Sequence, residues 1–266
     1  MQVSRGTRIA LRIATMLILA FIYLPIAIII LYSFNASTVA TWPIGGLTLD
    51  WYAKALVNEG IRSALGTSIL AGMGATALAL VLGTLIALAV QRYAFFGREA
   101  VSFLVILPIA LPGIVTGIAL NTAFHTVGIG LGLFTIIVGH ATFCIVTVYN
   151  NVLARLRRTS ASFEVASADL GADTFRTFRR ITLPAIGTAL VAGALLAFAL
   201  SFDEIIVTNF TAGAGIQTLP IWIFANYSRP NQLPLVNVAA VLVLVLSIIP
   251  VYLATRIANG DGAGRT

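Results

Sequence analysis

Six apolar stretches, at 11–33, 63–90, 101–124, 129–152, 185–208 and 235–257, dominate the chain, and each meets the roughly 20 residues that a helix needs to cross a bilayer. Hydrocarbon offers no partner to a free backbone N–H or C=O, so each stretch is expected to be a helix. The pattern predicts an all-α integral membrane protein of six transmembrane helices, one membrane domain over 1–266, with no repeat or flexible linker. Polar sequence gathers in two places. In 34–62, Asn35, Pro43, Gly45 and Gly46 mark turns ahead of a short helix near 51–57. The other polar segment runs from about 153 to 183.

The third apolar stretch contains ILPIALPGIVTG at 106–117. Pro108 and Pro112 remove backbone donors there, while Gly113 and Gly117 allow close helix approach. A broken helix is tolerated in lipid only where it faces protein or a cavity. The segment is expected to be either a wall of a pathway or a packing kink. Gly72 with Gly74, and Gly128, Gly130 and Gly132, are expected to report tight helix packing. The first stretch follows Arg5, Arg8 and Arg12 but is too long for a secretory signal and lacks a small-residue cleavage site, so it is taken as a retained span.

Composition agrees with this pattern: 59% of residues are hydrophobic and 9% charged, with a mean hydropathy of +1.00, far from the roughly one-quarter charged residues of soluble domains. A net charge of +7 would point to nucleic acid in a soluble protein, but the placement of the basic residues excludes that. Thirteen of the sixteen fall on one side of a six-span topology: Arg5, Arg8, Arg12, Arg92, Arg98, the six between Arg155 and Arg180, Arg256 and Arg265. Lys54, Arg62 and Arg229 fall on the other. The bias places both termini and the 153–183 loop in the cytoplasm. Trp42, Trp51 and Trp222 then lie on the outer side, as interfacial anchors. Membrane lipid is therefore the expected surrounding, and nucleic acid is not an expected partner.

Enzymatic chemistry finds no support. Lys54 is the only Lys and has no Gly-rich phosphate-binding turn before it. His125 and His140 have no Cys or carboxylate at ligand spacing, so no metal or cofactor is expected and His140 is read as a hydrogen-bonded packing residue. Cys144 lies inside a span as a small filler.

The loop at 163–184 reads FEVASADLGADTFRTFRRITLP. Residues 164–170 suit a short helix, capped by Ser160 or Ser162 and with Glu164 in its first turn. Gly171 permits a turn, and a second helix follows with Phe175 and Phe178 on one face and Arg176, Arg179 and Arg180 largely on another. Leu183-Pro184 ends that helix and starts the fifth span. Physics alone leaves two fates for such a loop: a knob whose Phe residues dock in a groove, or a basic segment lying on anionic lipid.

The spacing of Gly171 to Ile181, Leu183 and Pro184 resembles the coupling loop of ABC importer permeases, in which an acid and small residues precede the Gly. LPIALPGIVTGIAL, VGHATFCIVTVYNNVLARLRRTS and LAFALSFDEIIVTNFTAG extend the resemblance to permeases of spermidine and putrescine importers of the PotC and YdcV type. It implies a MetI-like, type I importer fold in a bacterial inner membrane. The implied partners are a second homologous permease chain in a heterodimer, two ATP-binding ATPase subunits and a periplasmic substrate-binding protein. Glu164, Ala166, Ser167, Gly171, Phe175, Phe178, Ile181, Leu183 and Pro184 become the implied ATPase-coupling residues. One position departs from the family pattern: its usual Glu is Val165 here and the acid is Glu164, a rotation of about 100° on a helix.

Asp203 and Glu204 are the acids expected inside a span, near the outer end of the fifth. A polyamine's ammonium groups would pair with them, assisted by cation–π contact from Phe202 and Phe210, and Tyr227 lies in a polar, broken segment that would gate the same side. The alternative is that the acids pair with Arg62 or Arg229. Three functions stay open: polyamine import by ATP-driven alternating access, the same machine importing another small amine, amino acid derivative or opine, and an ATP-independent secondary transporter or channel.

Overall fold

The computed structural model describes residues 4–263; Arg265, counted above among the inner basic residues, lies outside them. Five of the described helices are long and apolar enough to cross a membrane, and six spans result if one bent pair is a single span. The chain divides into two compact units, one of 1–62 with 223–244 and one of 63–222 with 245–266.

The first unit holds α1 (Arg5–Ser33) and α2 (Asp50–Val57). Between them the polar segment is tied down locally. Ala36 N donates to Gly46 O at 3.0 Å and Thr48 N to Phe34 O at 2.7 Å, and the Trp51 indole donates to Asn35 O at 2.9 Å. Tyr52 and Ser33 share a hydroxyl contact of 2.7 Å. The expected turns and short helix are therefore present, and Trp51 is a structural donor that also carries Lys54 over its ring at 4.1 Å. Trp42 is exposed but Trp222 is buried, so Trp222 is a packing residue rather than an interfacial anchor.

The second unit is built around α3 (Glu59–Arg92), α6 (Leu133–Arg158) and α9 (Leu183–Phe202). Ala71, Ala75, Ala79 and Ala87 recur along α3, with Gly83 in the same register, and all four alanines are fully buried. Small residues every fourth position let backbones approach closely, the main route to helix association where no water is displaced. At Gly83 an added Cβ would stand 2.9 Å from Ile145 O and 3.1 Å from Tyr149 N. Cys144, Val148, Tyr149, Val152 and Leu156 of α6 fill the core with Ile186 and Ala197 of α9. The Cys144 thiol donates to Ala197 O at 3.3 Å. Gly72 and Gly74 do meet side chains, Phe198 and Ile137, but nothing lies within 4 Å of a Cβ built on Gly128 or Gly130. Those two are connector residues, not packing sites, with Gly128 turning the chain at φ +73°.

The third apolar stretch is two helices, α4 (Arg98–Ala110) and α5 (Gly113–Thr126), meeting at 107°. Leu111 is extended and Pro112 caps α5, a conformation that a residue before proline favours. The bend borders a cavity of about 380 Å³ lined by Leu107, Pro108, Leu111, Val115 and Thr142 among others. A full break beside a cavity thus replaces the kink. The fifth apolar stretch also differs from expectation. Its helix stops at Phe202, and α10 (Ile206–Thr211) is separate. α11 (Leu219–Asn226) is too short to span, and α12 (Leu233–Ala263) completes the chain.

Gly83→Val should separate α3 from α6 and lower stability by about 1–3 kcal/mol. Gly66→Ala, where a Cβ has open space, should change little. Thermal unfolding of the detergent-solubilised protein, followed by tryptophan fluorescence, distinguishes the two.

Candidate functional site

Two constellations occupy the opposite ends of α9. At its start lies the loop with the importer-like spacing. α7 (Ser162–Asp169) has Ala161 at its N-cap, which makes no side-chain cap; the Ser160 hydroxyl instead accepts from Ser162 N at 3.2 Å, one step too early to serve as the expected cap. The other end of α7 closes as a Schellman motif: Gly171 N donates to Ala168 O at 2.9 Å and Ala172 N to Ser167 O at 3.1 Å. Gly171 has φ +79°, a left-handed conformation that glycine adopts without cost.

Asp173 then caps α8 (Thr174–Thr177), its carboxylate accepting from Arg176 N at 2.7 Å. α8 passes into one π-helical turn, Phe178–Thr182, and directly into α9. Leu183-Pro184 therefore does not end the second short helix. Pro184 has no N–H to offer and its ring crowds the carbonyl four residues back, and the wider π turn accommodates it without breaking the helix. α7 and α8 are joined by a 2.9 Å contact between the Ser167 and Thr177 hydroxyls.

The faces of this knob divide clearly. Val165 is 59% exposed, Leu170 89% and Phe175 71%; Ala166, Arg176, Arg179 and Arg180 are also exposed. Phe178 is half-buried and faces Leu85 and Leu88 of α3, so the two Phe residues do not act together. Ile181 is half-buried beside Thr182, and Leu183 and Pro184 lie at the surface. The Glu164 carboxylate turns inward. Its Oε1 accepts from Arg92 Nη2 at 2.9 Å and from the Thr182 hydroxyl at 2.8 Å. The one-place displacement seen in the sequence thus leaves an apolar Val outside and places the acid within the chain.

At the far end of α9, the backbone leaves the helix at Asp203. The two acids consequently sit at a break between helices rather than inside a continuous span, and they do different things. Glu204 Oε1 accepts from Val207 N at 2.8 Å, capping α10, while Asp203 is exposed. Phe202 is 1% exposed and its ring packs on Phe198, 5.8 Å between centroids. Phe210 packs on Gly117, where a Cβ would clash with the ring. Tyr227 is exposed and belongs to the other unit, as do Arg62 and Arg229; Arg229 donates to Asn226 Oδ1 at 3.2 Å.

A buried polar knot secures this break. His140 of α6 lies 2.7 Å from the Ser201 hydroxyl through Nδ1 and 2.7 Å from the Thr208 hydroxyl through Nε2. Thr208 donates its single proton to Glu204 O, so Nε2 must be the donor to Thr208 and Nδ1 the acceptor from Ser201. The carbonyls of α10 are met from neighbouring helices: Asn121 Nδ2 donates to Phe210 O and Thr135 Oγ1 to Thr211 O, both at 2.7 Å.

The profile of the family described as "Binding-protein-dependent transport system inner membrane component" matches residues 79–260, from within α3 to near the end of α12. The chain belongs to that family. It is 35% identical over 248 residues to the putrescine transport system permease protein PotI of Escherichia coli (strain K12), covering 89% of this chain and 87% of that one. To the spermidine/putrescine transport system permease protein PotC of the same strain it is 34% identical over 250 residues, covering 94% of each. A crystallised bacterial ABC transporter involved in the import of the acidic polysaccharide alginate shares the fold, with a TM-score of 0.71 at 18% identity over 98% of this chain and 99% of that one.

The protein is thus a multi-pass inner-membrane permease subunit of an ABC importer, with the MetI-like, type I permease fold. An ATP-independent transporter or channel is not favoured. Membership implies a partner permease, an ATPase and a substrate-binding protein.

No local pattern marks a partner for Glu164 or singles out Arg92, Thr182 and Leu170 as part of the knob. The available signal for the first two was the displaced acid together with an Arg at the end of the second apolar stretch. Glu204→Ala removes a helix cap and should lower stability by about 0.5–2 kcal/mol. Asp203→Ala should leave it within about 0.5 kcal/mol of the parent. Thermal unfolding in one detergent compares them.

Proposed function

We propose that the chain forms half of the translocation pathway for putrescine or spermidine, beside a second homologous permease in a heterodimer. Two ATPase subunits hydrolyse ATP on the cytoplasmic side, and a periplasmic protein delivers the substrate. The observation that carries this reading is the similarity, over nearly the whole chain, to a putrescine permease and to a spermidine/putrescine permease. Both termini and the loop near 153–183 are cytoplasmic, as the basic residues favour, and residues 1–266 act as one membrane domain.

In this reading the knob docks on an ATPase through Val165, Ala166, Leu170 and Phe175. Exposure of that apolar surface supports the role, because a few desolvated apolar anchors dominate most interfaces. Gly171 and the Ser167–Thr177 contact hold the knob's shape; Phe178, Ile181, Leu183 and Pro184 join it to α9. Closure of the ATPase pair pulls the knob and opens the cavity outward, and hydrolysis lets it open inward.

Among the pathway candidates Asp203 is assigned the substrate contact, since its carboxylate is exposed at a helix break. Glu204 and the buried Phe202 shape that break from behind, with Phe210 against α5. Tyr227 is assigned to the outer gate. A carboxylate accessible at that break pairs with an ammonium group by charge.

The test uses the complete complex in proteoliposomes with a putrescine-loaded binding protein. Loaded protein should stimulate ATP hydrolysis in the parent, and Leu170→Asp with Phe175→Asp should remove the ATPase subunits from the purified complex. Asp203→Asn should raise the concentration for half-maximal putrescine uptake about tenfold, the size of one lost charge contact. Stimulation by another amine but not by putrescine or spermidine would overturn the cargo and retain the machine.

A further inference from the structure

Glu164 does not face the surface that the coupling role requires. Its side chain is 24% exposed and that of Arg92 15%, and the 2.9 Å pair between them links residues 72 positions apart. Arg92 stands in the last turn of α3, Glu164 in the first turn of α7, and Thr182 in the π turn that leads into α9. One carboxylate oxygen therefore joins three elements. Val165, at the position where the resemblance sets an acid, is the outward residue and carries no charge.

Among the described residues, α7 packs against α8 and the π turn, and its ion pair runs to α3. A cavity of about 430 Å³ opens beside the pair, bordered by Leu88, Arg92, Glu164, Ala168, Thr177 and Phe178, so side-chain packing does not fill the space between α7 and α3. Chain connections to α6 and α8 and the Ser167–Thr177 contact are the other ties described above. A helix separated from its neighbour by open space transmits displacement through whatever bridges that space, and the bridge here is the Arg92–Glu164–Thr182 group.

We propose that this group is a strut within the permease: Arg92 and Glu164 carry movement of the knob into α3, and Thr182 carries it into α9. Glu164 is thus a positioning residue for ATP coupling, not a contact to the ATPase. The inference rests on the importer reading above, and the parent complex serves as the control that separates the two.

The experiment measures putrescine moved per ATP hydrolysed by the complete complex in proteoliposomes for the parent, Arg92→Glu, Glu164→Arg and the double reversal. Each single reversal should lower the ratio about tenfold, within the range of ordinary coupling energies, and the double reversal should restore at least half of it. A purely structural defect would lower the amount of assembled complex and not the putrescine moved per ATP by the complex that remains, and rescue by the double reversal assigns the loss to the Arg92–Glu164 pair. Glu164→Gln, which keeps the hydroxyl contact and loses the charge, gives a measurement if the reversals fail to fold, with an intermediate ratio expected.

Glu164→Ala combined with Val165→Glu moves the acid outward and should remain uncoupled. Parental ratios in Glu164→Gln or the single reversals, a double reversal no better than the singles, or recovery on moving the acid to 165 would each overturn the strut. A parent complex whose hydrolysis ignores the loaded binding protein would instead overturn the importer reading itself.

Discussion

A peptide group with no partner costs several kcal/mol in hydrocarbon, and the interruptions in this chain follow from how that cost is met. α9 and α10 are parted at Asp203, and backbone groups freed at the two ends of α10 are taken up by side chains. Glu204 receives Val207 N, Asn121 reaches Phe210 O, and Thr135 reaches Thr211 O. His140 binds both sides of the gap through Ser201 and Thr208. A helix break survives here because α5 and α6 supply partners from outside the broken segment.

Size, more than polarity, sets the arrangement of the second unit. An apolar side chain gains nothing from leaving lipid for an equally apolar protein surface, so close backbone approach and dispersion decide which helix faces which. The alanines of α3 and the absence of a Cβ at Gly83 let Ile145 and Tyr149 of α6 come near. α6 in turn packs against α9 through Cys144, Val148 and Val152. The result is a tightly joined group of three helices, with the knob continuing from the start of α9 through the π turn.

α9 connects the two constellations along a single helix. Its first residues continue the π turn from the knob, and its last residue leads into the break with the acids. The knob and the acids at the break are therefore separated by one helix length, about 30 Å. Arg92 and Thr182 widen that connection, because they tie the knob to α3 as well as to α9.

Much of this was legible in sequence. Hydrophobic runs of spanning length identify the membrane helices, because hydrocarbon imposes a minimum length that no soluble context requires. The spacing from Gly171 to Leu183-Pro184 marks the knob, since a left-handed turn needs glycine. Side-chain direction was not legible. Whether Glu164 meets solvent or Arg92 depends on the rotation of α7 against a helix 72 residues away, and no local pattern records it. Likewise, Asp203 and Glu204 are chemically equivalent neighbours until the helix ends between Phe202 and Ile206, after which one carboxylate caps α10 and the other remains exposed. Composition and periodicity determined the class of protein and its membrane spans, because these are set by the solvent. The partner of each polar group was decided by tertiary packing, because only contact between distant helices selects among acids, hydroxyls and carbonyls that look alike along the chain.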